Sequence, residues 1–247
     1  MNRFFIDPAG IQGDRVRLDG QQARQICRVL RLGAHDRIVV LDNAGTEYEV
    51  VLTAVGPAQV MGEVIERRLA RGEPPVDLTL YQSLLARDKF EHVLQKCTEV
   101  GVRRFVPVVT ERSLVRNARA FNEDRLGRWV RILTEAAEQS GRGRVPELGS
   151  PVRFEQALAD PTASALRLMA SPCVEGPSLR GLGLDSAGAK AAALFIGPEG
   201  GFAPGEQQLA RSAGWTPFSL GRRVLRTETA AVVASALVLH QMGQMEP

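Results

Sequence analysis

Ala193-Leu194-Phe195-Ile196-Gly197-Pro198-Glu199-Gly200-Gly201-Phe202 is an apolar run that ends in a glycine-rich turn just before a helix opening at Pro204. A continuous apolar run of this length between turn signals reads as a strand buried on both faces, which is the habit of parallel sheets. The turn then lies at the carboxyl end of that strand, where open α/β sheets bind their ligands. Glycines let the main chain approach a flat ligand closely. The segment lacks the Gly-Lys-Ser/Thr of a P-loop and the GxGxxG spacing of a dinucleotide fingerprint. Spacing alone therefore predicts a tight ligand loop of unspecified chemistry, or an ordinary strand-to-helix turn.

Outward from that run, strand and helix alternate. Strands are expected at Leu78–Leu84, Phe105–Val109, Ala165–Ala170, Ala192–Ile196 and Trp215–Leu220. Helices are expected at Asp88–Val100 (closed by Gly101), from an Asn122 cap through Leu126, Trp129, Val130 and Leu133 to Ser140-Gly141, at Pro204–Ala213 and at Thr227–Met242. Such alternation argues a parallel sheet covered by helices. A second candidate ligand segment is Leu220-Gly221-Arg222-Arg223-Val224-Leu225-Arg226-Thr227-Glu228-Thr229-Ala230-Ala231, with Thr227 placed to cap the last helix. Its three arginines stand at a helix N-terminus, which attracts anions.

The first 72 residues differ. Arg15–Leu18, Arg37–Leu41, Glu47–Leu52 and Val60–Ile65 read as strands, with a hairpin turn at Asn43–Thr46 and one helix around Gln21–Leu30. So many short strands in so short a span predict a small β-barrel, and Arg71-Gly72-Glu73-Pro74-Pro75 reads as a linker behind it.

The length of 247 residues suits two domains. No apolar run reaches the roughly 18 residues of a membrane span, and the start, MNRFFIDPAG, lacks a secretory h-region, so a cytoplasmic location is expected. Cys27, Cys97 and Cys173 form no CxxC pair and the three histidines are scattered, so no metal is expected. Net charge is only +3, yet residues 103–144 hold ten arginines against five acids. Clustered guanidinium groups suit phosphate, hence nucleic acid.

The pairing of Ile196–Phe202 with Leu220–Ala230 resembles the ribosomal RNA small subunit methyltransferase E family, of the SPOUT superfamily. The likeness extends to Asn2-Arg3-Phe4-Phe5, Val29-Leu30-Arg31-Leu32, Asp88-Lys89-Phe90, Gln95–Val102, Glu138-Gln139-Ser140-Gly141-Arg142 and Arg144-Val145-Pro146. The resemblance implies a PUA-like RNA-binding β-barrel over 1–72 and, over 76–247, a trefoil-knotted parallel sheet with helices on both faces. It further implies a homodimer and S-adenosylmethionine-dependent methylation of a uridine N3 in 16S rRNA, free or in the small ribosomal subunit, near the decoding centre. Met169, Gly197, Pro198, Glu199, Gly200, Gly201, Leu220, Gly221, Val224 and Leu225 would hold the cofactor. Arg226, then Arg223, would stabilise charge on the uracil, with Glu199 or Glu228 as base. Arg3, Arg28, Arg31, Arg112, Arg116, Arg142 and Arg144 would contact RNA phosphates. The alternatives are a ribose 2′-O-methyltransferase of the same superfamily acting on rRNA or tRNA, and a catalytically inactive RNA-binding assembly factor.

Overall fold

The structure is a computed structural model that describes residues 1–113, 123–160, 166–171, 177–184 and 189–245, apart from the side chain of Arg87. The chain divides into two compact units: residues 1–73 with 137–145, and residues 74–136 with 146–247.

In the first unit β1 (Arg3–Phe5), β2 (Ile11–Gln12), β3 (Arg15–Asp19), β4 (Arg37–Leu41), β5 (Thr46–Val55) and β6 (Gln59–Leu69) form one sheet, ordered β1-β4-β5-β6-β3-β2. Only β1 and β4 pair in parallel. Period-2 patterning directs burial: along β3, Val16 and Leu18 point inward while Arg15, Arg17 and Asp19 face water. They join Phe4, Ile26, Ile38, Val40, Val50, Leu52 and Val60 in one core. The expected helix is present but changes pitch, from α1 (Gly20–Arg24) to a π-helical turn over Gln25–Val29 in which the Leu30 N–H reaches the Gln25 carbonyl at 2.9 Å. Strands β1 and β2, at two or three residues each, are too short to show a period.

The second unit contains β7 (Asp77–Ser83), α2 (Arg87–Val100), β8 (Arg104–Val109), most of α3 (Glu123–Ser140), β9 (Glu147–Leu148), β10 (Val152–Arg153), α4 (Phe154–Leu158), β11 (Leu166–Ala170), β12 (Ala191–Ile196), α5 (Pro204–Ser212), β13 (Thr216–Phe218) and α6 (Thr227–Gln241). The sheet order is β10-β8-β7-β12-β11-β13, with β9 also on β8, and each of these pairings is parallel. Strand β12 follows β7 and β11 in the chain yet sits between them. Helices cover it, so Ala192 through Ile196 are all buried. Ala193 and Phe195 join Tyr81, Phe154, Phe202 and Trp215 in an aromatic core on one face, leaving Leu194 and Ile196 for the opposite face.

Four expectations need correction or qualification. Strand β13 is only Thr216–Phe218, because the Trp215 N–H caps α5 through the Ala210 carbonyl at 2.9 Å and its ring enters the core. Val130 is 46% exposed; the buried stripe of α3 uses Trp129, Leu133, Ala136 and Ala137 instead. Thr227 is the first helical residue of α6 and Arg226 its cap. The expected cap Asn122 and strand residue Ala165 lie outside the described residues.

Candidate active site

The parallel strands of the second unit end together, and a cavity of about 340 Å³ opens at the ends of β11 and β12. Its walls come from three turns and the first turns of two helices, α2 and α6. Ile196 ends β12, and Gly197 to Glu199, Gly201 and Phe202 follow it. Leu220, Gly221 and Arg223 to Thr227 lead into α6, Ala170 and Ser171 end β11, and Lys89 projects from the first turn of α2. The volume falls within the roughly 300–1,000 Å³ typical of small-molecule sites.

The first turn is shaped by what its glycines lack. A Cβ on Gly197 would meet the Phe202 ring at 3.0 Å, so the ring can lie flat against the chain only with hydrogen there. Gly201 and Gly221 adopt φ of 66° and 105°, a left-handed backbone that costs a residue with a Cβ. No atom stands within 4 Å of where either Cβ would be, so both turns present bare main chain. From outside, Arg112 Nη1 donates to the Gly200 carbonyl at 3.0 Å. Glu206, almost fully buried, accepts from the Ala203 N–H at 2.8 Å and the Glu111 N–H at 2.9 Å, fixing the entry to α5.

The two ligand turns are joined directly. The Thr227 hydroxyl donates to the Gly197 carbonyl. At the rim, Lys89 Nζ donates to Glu199 Oε1 at 3.0 Å. That hydrogen bond is the main reason the ammonium is held above the ordinary lysine range. Glu199 thus has one carboxylate oxygen engaged by the ammonium. Arg223 and Arg226 are exposed at the mouth, and Val224 is 85% exposed between them. Among the described residues no group of His, Cys, Asp or Glu is arranged to hold a metal ion.

The cavity therefore brings together ten of the residues singled out in the sequence: Gly197, Pro198, Glu199, Gly201, Leu220, Gly221, Arg223, Val224, Leu225 and Arg226. Two others are displaced. Gly200 faces Arg112 rather than the cavity, and Met169 is 2% exposed in the aromatic core. Strand alternation hands the lining position to Ala170. Phe202 and Thr227 belong to the two candidate ligand segments without having been singled out as cofactor contacts, and Lys89 was not anticipated as a lining residue; its contribution depends on where elements distant in sequence meet.

The expected RNA contacts separate. Arg28 and Arg31 are exposed on the first unit. Arg3 pairs with Glu47 at 2.6 Å, and Arg144 donates to the Ala44 carbonyl at 2.8 Å. Arg142 is a correction: it is 1% exposed and grips Glu73 through Nε at 2.9 Å and Nη2 at 3.1 Å, so its guanidinium cannot meet a phosphate. Arg116 lies outside the described residues.

A parallel α/β domain that offers bare main chain at two adjoining strand-end turns, in a chain with a small β unit, defines a class once its likenesses are added. Residues 72–239 match the model of an RNA methyltransferase domain and residues 18–64 that of an RNA methyltransferase PUA domain. This is an RNA methyltransferase. The ribosomal RNA small subunit methyltransferase E of Synechocystis is 36% identical over 96% of this chain and 76% of its own, and that of Bacillus subtilis 29% identical over 98% and 97%. The crystal structure of the Neisseria gonorrhoeae enzyme of that name, bound to S-adenosyl methionine, matches with a TM-score of 0.85 at 32% identity over 97% of both chains. A Legionella pneumophila protein in complex with SAM matches with a TM-score of 0.86 at 30% identity over 96% of both. The chain belongs to the ribosomal RNA small subunit methyltransferase E family.

Proposed function

We propose that this chain methylates N3 of a uridine in 16S rRNA near the decoding centre, using S-adenosylmethionine (SAM) held on the two turns around Gly197 and Gly221. The coarser activity, SAM-dependent methylation of small-subunit ribosomal RNA, is that of the family. The observation that carries the reading is the cavity itself: two glycine turns with unobstructed main chain, locked together at Thr227, enclose room for an adenosyl group. SAM, when bound, supplies a methyl group on a positive sulfur.

The protein's own work is positioning and charge stabilisation. Main-chain N–H and C=O groups of the turns fix a flat base without side-chain intervention, which secures the in-line geometry that methyl transfer needs. Uridine N3 must pass its proton to a base, for which Glu199 at the rim and Glu228 in the first turn of α6 are the two candidates, and negative charge then spreads to the uracil carbonyl oxygens. Arg226, at the cap of α6, is assigned to that charge, with Arg223 as the second cation at the rim. Lys89 holds Glu199 across the mouth as a gatepost. The exposed arginines of the first unit, Arg28 and Arg31, are assigned to RNA phosphates, with Arg112 beside the cavity turn.

The family reading also carries a trefoil knot threaded by α6, a cytoplasmic homodimer and an RNA-binding role for residues 1–72. Supporting the dimer, α6 is apolar around most of its circumference, and Val232, Val233, Ala236 and Leu237 remain partly or largely exposed on it. The helix that lines the cavity with Thr227 and Ala230 thus offers a surface for a second copy. Nucleoside mass spectrometry of rRNA from a deletion strain tests the chemistry. Loss of 3-methyluridine, restored by the wild-type gene, is expected; loss of a 2′-O-methyl nucleoside instead would overturn the N3 assignment.

A further inference from the structure

Thr227 is 6% exposed, and its hydroxyl spans 30 residues of sequence to reach the carbonyl of Gly197. The same oxygen lies 3.5 Å from Nε2 of Gln82, whose amide also donates to the Ser83 carbonyl at 3.0 Å. Gln82 is fully buried and stands opposite Ile196 in the β7–β12 register. Donor chemistry fixes the direction of this chain of bonds. The Gly197 and Ser83 carbonyls only accept, so the threonine proton goes to Gly197 and the glutamine NH₂ serves both Ser83 and Thr227. Turning the amide over would set its oxygen against two oxygens with no proton between them. The orientation leaves Gln82 Oε1 buried without a hydrogen-bond partner, a cost accepted only where the amide's other end is required elsewhere.

We propose that Thr227 is a positioning residue for the cofactor: its hydroxyl latches the Gly197 turn to the start of α6, and Gln82 aims the hydroxyl. The proposal rests on the reading that this cavity takes SAM. Gly197 and Thr227 both line the cavity, so their separation sets its width. Without the latch, the Gly197 carbonyl loses its donor and the turn must rearrange before it can grip a ligand.

The test is Thr227→Val, which keeps the shape and removes the hydroxyl, beside Thr227→Ser, which keeps the hydroxyl. Calorimetry with SAM, steady-state methylation of rRNA and melting of the ligand-free protein are measured for each. Thr227→Val is expected to weaken SAM binding about tenfold, the scale of one lost hydrogen bond with a stranded partner. KM for SAM should rise in proportion and kcat at saturating SAM stay within about twofold, the signature of lost ground-state binding. Thr227→Ser should restore both. Gln82→Met should show a smaller loss and add nothing to Thr227→Val in the double variant, because it acts through the same hydroxyl. If Thr227→Val does not fold, Thr227→Ala and Gln82→Met carry the same comparison.

Wild-type SAM affinity in a folded Thr227→Val protein, or a lowered melting temperature with unchanged Kd and KM, would overturn the latch. Equal loss in Thr227→Ser would overturn it as well. A wild-type protein that binds no SAM would instead sink the cofactor reading, leaving the two failures distinct.

Discussion

Replacing Arg142 by alanine should damage the folding of the first unit and spare its affinity for RNA. The guanidinium makes a two-pronged contact with Glu73, and the Arg144 N–H adds a third donor to the same carboxylate at 3.2 Å. The arginine side chain is essentially sealed from water, while Glu73 keeps 16% of its side-chain surface. Removing one member of a buried pair strands the other and costs about 3–5 kcal/mol. Glu73 can recover some hydration and keeps the Arg144 N–H, so the lower end, about 3 kcal/mol, is expected here. A unit of this size moves its melting point by roughly 4–8 °C per kcal/mol, which gives a fall of roughly 12–24 °C in its own transition. Scanning calorimetry reads that shift directly. Exchanging both partners for apolar residues, Arg142→Met with Glu73→Leu, should recover much of the loss, since no charge is then left unpaired. A melting point unchanged in Arg142→Ala, accompanied by weaker RNA binding and a flatter salt dependence, would refute this account and return Arg142 to the phosphate contacts.

Arg28→Ala and Arg31→Ala should leave melting unchanged and each lower the slope of log K against log salt by about one, measured by filter binding to rRNA across a salt series. For Glu47, burial alone would raise the carboxyl's pKa, but its hydrogen bonds to Arg3 and Arg68 outweigh this and hold it below the ordinary range. Its stabilisation is therefore present above the unfolded value of about 4.3 and lost as pH falls through the lower folded value. The stability gap between wild type and Glu47→Gln in urea should be widest near neutrality and close in acid. Burial pushes the Cys97 thiol up to about 12, so iodoacetamide at pH 8 should modify half-buried Cys27 in the native protein and reach Cys97 only on unfolding, as followed by mass spectrometry.

What could be read from the sequence was local, and what could not was relational. The run Ala193–Phe202 declares a buried strand and a ligand turn because every residue that matters is contiguous. The alternation of strands and helices likewise signals a parallel sheet without knowledge of strand order. Nothing local, however, places β12 between β7 and β11, and so nothing local brings Gln82 or Lys89 to the Gly197 turn. Met169 illustrates the sharpness of period 2: one residue along the strand changes a lining position into a core position, and Ala170 takes its place. Arg142 illustrates the limit of counting charge. Ten arginines in 103–144 suggest a basic surface, but only the fold separates a guanidinium in water from one buried on a glutamate.

The same distinction explains how the cavity can serve an anionic polymer and a neutral heterocycle together. Its depth is built from Ile196, Gly197, Phe202, Thr227 and Ala230, residues that offer apolar area and hydrogen-bonding groups but no full charge. Its mouth carries Lys89, Arg223 and Arg226 against the single carboxylate of Glu199, which is already paired. A phosphate backbone is drawn to such a rim over a distance of about one Debye length, roughly 8–10 Å, whereas charge repels nothing and attracts nothing at the uncharged floor. Under the proposed N3 chemistry the floor holds the adenosyl group, while a uracil that has lost its N3 proton brings its negative charge to the rim. On that proposal, Arg223 and Arg226 would stabilise the reacting base more than the resting one, because the charge they meet exists only at the moment of transfer.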